Sequence, residues 1–94
     1  MSGSQRRPSS KARSEHSSKP VRAFVLVQTL PGRVAAIMRE LEKMAGVKGV
    51  DPVTGPFDIV VYLEVGELGD ISGVVAGTIG GLKGVTHTTT LLCV

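Results

Sequence analysis

Two short polar segments of this 94-residue sequence contain the side chains best suited to bind a small molecule. The first is the turn at residues 54–58, where Asp58 immediately precedes an apolar run. A carboxylate at the start of a buried strand is costly without a partner, so we expect Asp58 to have a specific one. That partner is either a ligand ammonium group or backbone amides of the turn, and the sequence leaves both open.

The second segment is the threonine-rich run at residues 86–90. In a strand, Thr88 and Thr90 point to the same face, and their hydroxyls both donate and accept hydrogen bonds. Those are the properties needed to bind the carboxylate and amine of an amino acid. Threonine also favours strands for its own reasons, so strand formation alone explains the run as well.

Catalysis, metal binding and base stacking find little support in the composition. His87 is the only plausible acid or base, and because no carboxylate lies near it in sequence, packing beside a neighbouring hydroxyl is favoured. The single cysteine, Cys93, excludes an internal disulfide, and with two distant histidines it forms no metal-ligand cluster. Phe24, Phe57 and Tyr62 are too few for a base-stacking RNA surface. We therefore predict a protein that is not an enzyme and needs no cofactor or metal.

The net charge of +3 is unevenly distributed along the chain. Residues 1–20 hold five basic residues against one acidic residue, whereas residues 21–94 hold six basic and seven acidic residues. The first twenty residues are rich in Ser, Arg and Lys and contain almost no large apolar side chain, which predicts a disordered basic tail. Its basic character permits contacts to nucleic acid or to an acidic partner, but a solubilising extension is the favoured explanation. Without a secretory signal or a membrane-spanning run, a cytoplasmic location is expected.

Residues 21–94 have the patterns of a small α+β domain. Ala23–Thr29, Val50–Thr54, Ile59–Val65 and Val85–Cys93 are predicted as strands, and Pro52, which lacks an amide donor, places the second at a sheet edge. Apolar residues at helical spacing predict one helix from Val34 to Ala45 and another, after Gly66, from Leu68 to Leu82. The sequence Gly46-Val47-Lys48-Gly49-Val50 recurs as Gly81-Leu82-Lys83-Gly84-Val85, which indicates two β-α-β units with an offset of 35 residues.

This order predicts a ferredoxin-like β-α-β-β-α-β sandwich with an antiparallel sheet. The central strands are apolar on both faces, and two helices cover only one, so we expect a second copy to cover the other in a dimeric α-β barrel-type assembly. The second helix also carries glycines at every fourth position, from Gly69 to Gly81. They mark either the close approach of another backbone or a weak helix.

Several short motifs together resemble the effector-binding domain of the Lrp/AsnC family, also called the RAM domain. They are Pro31-Gly32, Gly46-Val47, the run Val53-Thr54-Gly55-Pro56-Phe57-Asp58, and Gly84-Val85 ahead of Thr88-Thr89-Thr90. The similarity covers residues 21–94. It implies a regulatory domain that binds an amino-acid effector, dimerises through its sheets and assembles further, for example into octamers.

The resemblance also implies a location for the effector, between dimers, at Gly55, Phe57 and Asp58 with Thr88 and Thr90 opposite them. Full-length members carry an N-terminal helix-turn-helix domain, which twenty tail residues cannot form, so the resemblance is to a stand-alone form. Such a domain is expected to sense a metabolite or to co-assemble with full-length relatives, without specific DNA binding by itself. One alternative is an ACT-like domain with its ligand at Leu30-Pro31-Gly32, and another is a small dimeric α+β barrel enzyme using His87.

Overall fold

The structure, a computed structural model, describes residues 19–94, so the predicted tail lies outside the described residues except for Lys19 and Pro20. Residues 19–94 form four strands and two helices, the second of which changes from α-helical to π-helical geometry. In chain order the elements are β1 (Val21–Thr29), α1 (Val34–Glu42), β2 (Val47–Pro52), β3 (Ile59–Val65), α2 (Leu68–Ser72) with its π-helical continuation (Gly73–Ile79), and β4 (Val85–Leu92). Within residues 19–94, no helix is long and apolar enough to cross a membrane.

The four strands form one antiparallel sheet in the order β2-β3-β1-β4. This is the predicted ferredoxin-like arrangement, and it confirms that β2 is an edge strand. Pro52 lies there opposite Ile59, where its missing amide leaves no gap inside the sheet. Because β1 lies between β3 and β4, groups at the end of β1 contact both of these strands.

The core lies between the sheet and the helices. Alternate residues of β1 and β3 point into it, and the helices contribute four buried side chains. The buried residues are Ala23, Val25, Val27, Ile37, Leu41, Ile59, Val61, Leu63, Ile71 and Ile79. The period-two burial of β1 and β3 follows from their alternating side-chain directions, which turn the intervening residues to the opposite face of the sheet.

The repeated β-α-β unit is present, but its offset is 38 residues rather than the predicted 35. Val21 begins the first unit and Ile59 the second, and Val47 and Val85 begin their last strands. An offset of 35 is odd, so it aligns the outward-facing Phe24 with the buried Ile59 and exchanges the two faces of the sheet. The offset of 38 residues also aligns Gly46 (φ 89°) with Gly84 (φ 99°), the two glycines with positive φ that precede the last strand of each unit.

The second strand begins and ends earlier in the chain than the predicted residues 50–54. The positive φ of Gly46 turns the chain early, and its carbonyl accepts a hydrogen bond of 2.8 Å from the amide of Glu64 in β3. At the other end, the amide of Val53 already bonds the carbonyl of Asp58 at 2.9 Å, which makes it part of the turn. The first helix is also shorter than predicted, since the amides of Lys43 and Met44 bond carbonyls three residues back.

The second helix was predicted as one amphipathic α-helix, but α-helical geometry ends at Ser72 and a π-helix continues to Ile79. Wide π-helical turns are uncommon, and the four glycines lower the cost of leaving the α-helical form because each one weakens it. An added Cβ at Gly69, Gly73 or Gly77 would meet no atom of the described chain within 4 Å. Within one chain, the weak-helix interpretation therefore explains this row of glycines from Gly69 to Gly81, which we call the glycine ridge.

Candidate functional site

Asp58 is held at the start of β3 by a set of short hydrogen bonds. Its amide donates to the carbonyl of Val27 at 2.9 Å, and its own carbonyl accepts from the amide of Val53 at 2.9 Å. The carboxylate oxygen Oδ2 accepts from the backbone amide of Thr29 at 2.8 Å and from the Thr29 hydroxyl at 3.3 Å. The expectation of a specific partner is therefore confirmed. The partner is the last residue of β1, not the amides of the turn around Asp58.

The turn before Asp58 contacts the end of β1 and β4. Gly55 has φ 132°, a conformation that other residues rarely adopt, and it is exposed. The carbonyl of Pro56 accepts a hydrogen bond from Nε2 of Gln28 at 3.2 Å. The Phe57 ring stacks on the imidazole of His87, with ring centroids 6.3 Å apart and planes inclined by 22°. These contacts give the turn a fixed position relative to all three strands.

Thr88 and Thr90 point to the same face of the sheet, as their spacing predicted, and the structure shows that it is the helix-covered face. They lie opposite Val27 and Val25, whose side chains are buried in the core. Thr90 lines a surface cavity of about 220 Å³ beside Ile71 of α2. Since β1 separates β4 from β3, Thr88 lies two strand spacings, roughly 10 Å, from the start of β3. The predicted site residues therefore form two groups within one chain, with Gly55, Phe57 and Asp58 in one and the threonines in the other.

Three residues that sequence reasoning did not assign to the site contact the turn. Thr29 binds the Asp58 carboxylate, Gln28 binds Pro56, and His87 stacks on Phe57. We call Gln28, Thr29, Phe57, Asp58 and His87 the turn cluster. A partial signal existed in the strand order itself, since a ferredoxin-like sheet places the end of β1 between the starts of β3 and β4. His87 is part of the cluster by ring stacking rather than by the hydroxyl contact that was expected.

The hydroxyl of Thr86 completes the connection between β1 and β4. It donates to the carbonyl of Gln28 at 3.1 Å and lies 3.5 Å from the Gln28 side-chain oxygen. The pairing of β1 with β4 shifts register between Gln28 and Thr29, and it continues beyond the shift, since the amide of Leu30 bonds the carbonyl of Gly84 at 2.8 Å. Among residues 19–94 there is no group of three or more side chains suited to hold a metal ion.

The face of the sheet opposite the helices is apolar and open to solvent. Phe24 pairs with Tyr62 on one side and Leu91 on the other, and Leu26 pairs with Val60. The Phe24 and Tyr62 rings are 5.1 Å apart, and Phe24 and Leu91 are 40% and 51% exposed. We call these five residues the sheet patch. At its margin a hydrogen bond with Tyr62, followed by coulombic attraction, raises the pKa of the exposed Arg22 guanidinium.

The strand order and the two helices packed on one face of the sheet define a ferredoxin-like α+β domain. The chain matches the family model of the Lrp/AsnC ligand binding domain over residues 22–94, and it belongs to that family. This match favours the Lrp/AsnC interpretation over the ACT-like and barrel-enzyme alternatives. A comparison with curated proteins finds no match.

Solved structures with the same fold include a small protein and longer regulators. TTHA0845 from Thermus thermophilus is 34% identical, with a TM-score of 0.76 over 79% of this chain and 92% of that one. AsnC from E. coli is 18% identical, with a TM-score of 0.76 over 92% of this chain and 61% of that one. The transcriptional regulator NMB0573 from Neisseria meningitidis, solved as an L-Met complex, is 18% identical with a TM-score of 0.71 over 95% of this chain and 59% of that one. At these identities the two longer proteins establish the fold alone.

Proposed function

We propose that this chain is a non-enzymatic, oligomeric sensor that binds an amino acid and modulates transcriptional regulators of amino-acid metabolism in the cytoplasm. Membership in the Lrp/AsnC ligand binding domain family supports the regulatory role. The L-Met complex of NMB0573, which shares the fold, supports an amino-acid effector. The observation that carries the proposal is the half-buried carboxylate of Asp58, which is fixed by Thr29 beside the exposed turn.

The chemistry of the turn cluster fits the ammonium end of an amino acid. Both hydrogen bonds from Thr29 reach the same carboxylate oxygen, Oδ2. A carboxylate has about four lone-pair positions on its two oxygens, so it can accept further hydrogen bonds from an ammonium group. Charge-assisted hydrogen bonds of this kind are about twice as strong as neutral ones. Gly55 leaves the backbone of the same turn exposed, and the half-buried Phe57 ring would supply an apolar wall.

In the proposed effector site, Thr88 and Thr90 come from a second copy of the chain that faces the turn cluster. Within one chain β1 lies between them and Asp58. An effector that contacts Asp58 of one copy and the threonines of another would bridge an interface, as the resemblance to the RAM domain implies. Binding and assembly are then thermodynamically linked, since an effector that contacts two copies stabilises the assembled form.

The sheet patch is the surface through which we propose that two copies pair. Phe24, Tyr62 and Leu91 form a continuous apolar strip across three strands, and monomers rarely expose such strips over large areas. Further assembly into a ring such as an octamer, or co-assembly with full-length Lrp/AsnC relatives, would use the remaining surfaces. Specific DNA binding by this domain alone is not part of the proposal. Light scattering on wild type and on Phe24→Glu tests the pairing, and a wild-type monomer at micromolar concentration would contradict it.

The effector proposal is tested by thermal unfolding in the presence of each of the twenty amino acids. A ligand at about 100 times its dissociation constant stabilises the folded state by roughly 2.7 kcal/mol, which is readily measured. The decisive variant is Asp58→Asn, because its amide oxygen still accepts the hydrogen bond from Thr29 while the negative charge is lost. We expect Asp58→Asn to keep the unliganded melting temperature close to wild type and to weaken binding by about tenfold or more.

Thr29→Val is the matched control for Asp58→Asn. It removes the weaker 3.3 Å hydrogen bond to Asp58 but keeps the amide bond and the charge, so binding should persist. Wild-type affinity in Asp58→Asn would move the site away from the turn cluster, for instance to the turn at Pro31. No stabilisation by any amino acid would refute the sensor itself.

A further inference from the structure

A second cavity, distinct from the turn cluster, lies between α1 and the loop that leads into β4. Its volume is about 340 Å³, and its walls include Arg33, Arg39 and Glu40 from the α1 side and Leu82 and Lys83 from the loop. Three of these side chains are cationic and one is anionic. Glu40 is already engaged outside the cavity, because its Oε2 lies 3.6 Å from Nζ of Lys43, which does not line the cavity. The lining therefore carries an excess of positive charge.

Arg33 differs from the other two cations because packing fixes it in place. A Cβ added at Gly84 would lie 3.0 Å from Cγ and Nε of Arg33 and 3.1 Å from its Cβ. The stem of Arg33 therefore lies flat on a backbone position that only glycine leaves open. An arginine held in this way loses less side-chain freedom when it binds an anion, so it is preorganised for that role.

Arg33 also carries an unsatisfied donor. Its Nε is buried and has no hydrogen-bond partner among residues 19–94. A buried donor without an acceptor destabilises the folded state, so native proteins seldom retain one without a reason. The terminal nitrogens of a guanidinium form the fork that binds an oxyanion bidentately, and Arg33 lines the cavity. An oxyanion in the cavity would bind these terminal nitrogens, because the buried Nε packs on Gly84 and is closed to a ligand.

We propose that this cavity binds the phosphate group of a small phosphorylated metabolite. Three cations against one carboxylate leave a charge of plus two on the lining, which matches a phosphate monoester dianion. Ligand sites commonly have volumes from about 300 Å³ upwards, so the cavity has room for more than a phosphate group. Ile37 and Leu82 provide the apolar wall for the rest of the ligand. This proposal does not depend on an amino-acid site at Asp58.

The test is isothermal titration of the full chain with inorganic phosphate at constant ionic strength and at about pH 8, where phosphate is dianionic. We expect saturable binding in wild type. Arg33→Ala should weaken it by about tenfold or more, the effect of losing hydrogen bonds to a charged group. Arg39→Ala and Lys83→Ala remove exposed cations and should each weaken binding by about two- to fivefold.

Two variants separate the site from general effects of charge and folding. Lys48→Ala removes an exposed cation of β2 that does not line the cavity, and it should bind phosphate like wild type. Arg33→Lys keeps the aliphatic stem and the positive charge but loses the guanidinium fork. We expect it to fold normally and to bind with an affinity between those of wild type and Arg33→Ala.

Dimethyl phosphate, a singly charged diester, distinguishes a metabolite monoester from the diester linkage of nucleic acid. It should bind much more weakly than inorganic phosphate. The proposal is overturned if wild type shows no saturable binding, if Lys48→Ala loses as much affinity as Arg33→Ala, or if dimethyl phosphate binds as tightly as phosphate.

Discussion

The helices of the two β-α-β units each bury two large aliphatic side chains among the described residues, but they have different backbones. In the first unit, α1 buries Ile37 and Leu41 and keeps α-helical geometry from Val34 to Glu42. In the second unit, Ile71 and Ile79 are buried, but α-helical geometry lasts only from Leu68 to Ser72 before the π-helix begins. Apolar anchors therefore determine where a helix packs on the sheet. The residues between the anchors determine how regular the helix is, and glycine makes it irregular.

The largest expected effect comes from removing one anchor in each unit. Leu41→Ala and Ile79→Ala both truncate side chains that are fully buried, and such changes typically cost about 2–5 kcal/mol. We expect the cost of Leu41→Ala to lie nearer about 5 than about 2 kcal/mol, because the regular α1 cannot move in to fill the space that the leucine side chain leaves. The glycine-rich segment around Ile79 can relax more easily.

Urea unfolding at one fixed protein concentration measures both losses, since assembly makes the apparent stability depend on concentration. Light scattering on the same samples shows whether either substitution changes the oligomeric state, so that a loss of assembly is not mistaken for a loss of core packing. If Ile79→Ala costs as much as Leu41→Ala, the second helix is as rigid as the first and the contrast between the units fails.

The next effect concerns the glycines that lead into the last strand of each unit. Alanine in the left-handed region costs about 1–2 kcal/mol, and at Gly46 and Gly84 the added methyl also meets neighbours at 3.0 Å. At Gly46 the close neighbour is Cγ1 of Val65, and the carbonyl of Glu64 lies at an ordinary 3.5 Å. At Gly84 three atoms of Arg33, its Cβ, Cγ and Nε, lie within 3.1 Å. Cγ1 of Val65 can move away by rotation about χ1, whereas the Cβ of Arg33 cannot, so Gly84→Ala should be the more destabilising of the two.

Gly32→Ala is the matched control for this pair. Gly32 has φ 80°, and an added Cβ there would meet no atom of the described chain within 4 Å. It therefore reports backbone strain alone, and thermal unfolding should rank its loss below both Gly84→Ala and Gly46→Ala. An equal loss at all three positions would mean that the close contacts contribute nothing.

The sequence predicted the elements of the fold and the edge position of Pro52, because periodicity and the missing proline amide act locally. It did not predict the offset of 38 residues. The similar stretches Gly46–Val50 and Gly81–Val85 suggested an offset of 35, although an odd offset aligns the outward-facing Phe24 with the buried Ile59. Nor did the sequence predict the π-helix, because the spacing of Ile71 and Ile79 was compatible with an α-helix. At the site, the need for a partner at Asp58 was predictable, but its identity as Thr29 depended on pairing between distant strands.

The smallest effect tests why the second helix is irregular. Gly73 has helical dihedrals (φ −63°, ψ −45°) and open space around an added Cβ, so Gly73→Ala should stabilise the domain by up to about 1 kcal/mol. Ala35→Gly at an exposed position of α1 is the reciprocal control and should destabilise by a similar amount. Thermal unfolding and light scattering together decide the origin of the glycine ridge. If Gly73→Ala instead weakens assembly, another copy of the chain approaches the glycine ridge, and that contact between copies explains the glycines.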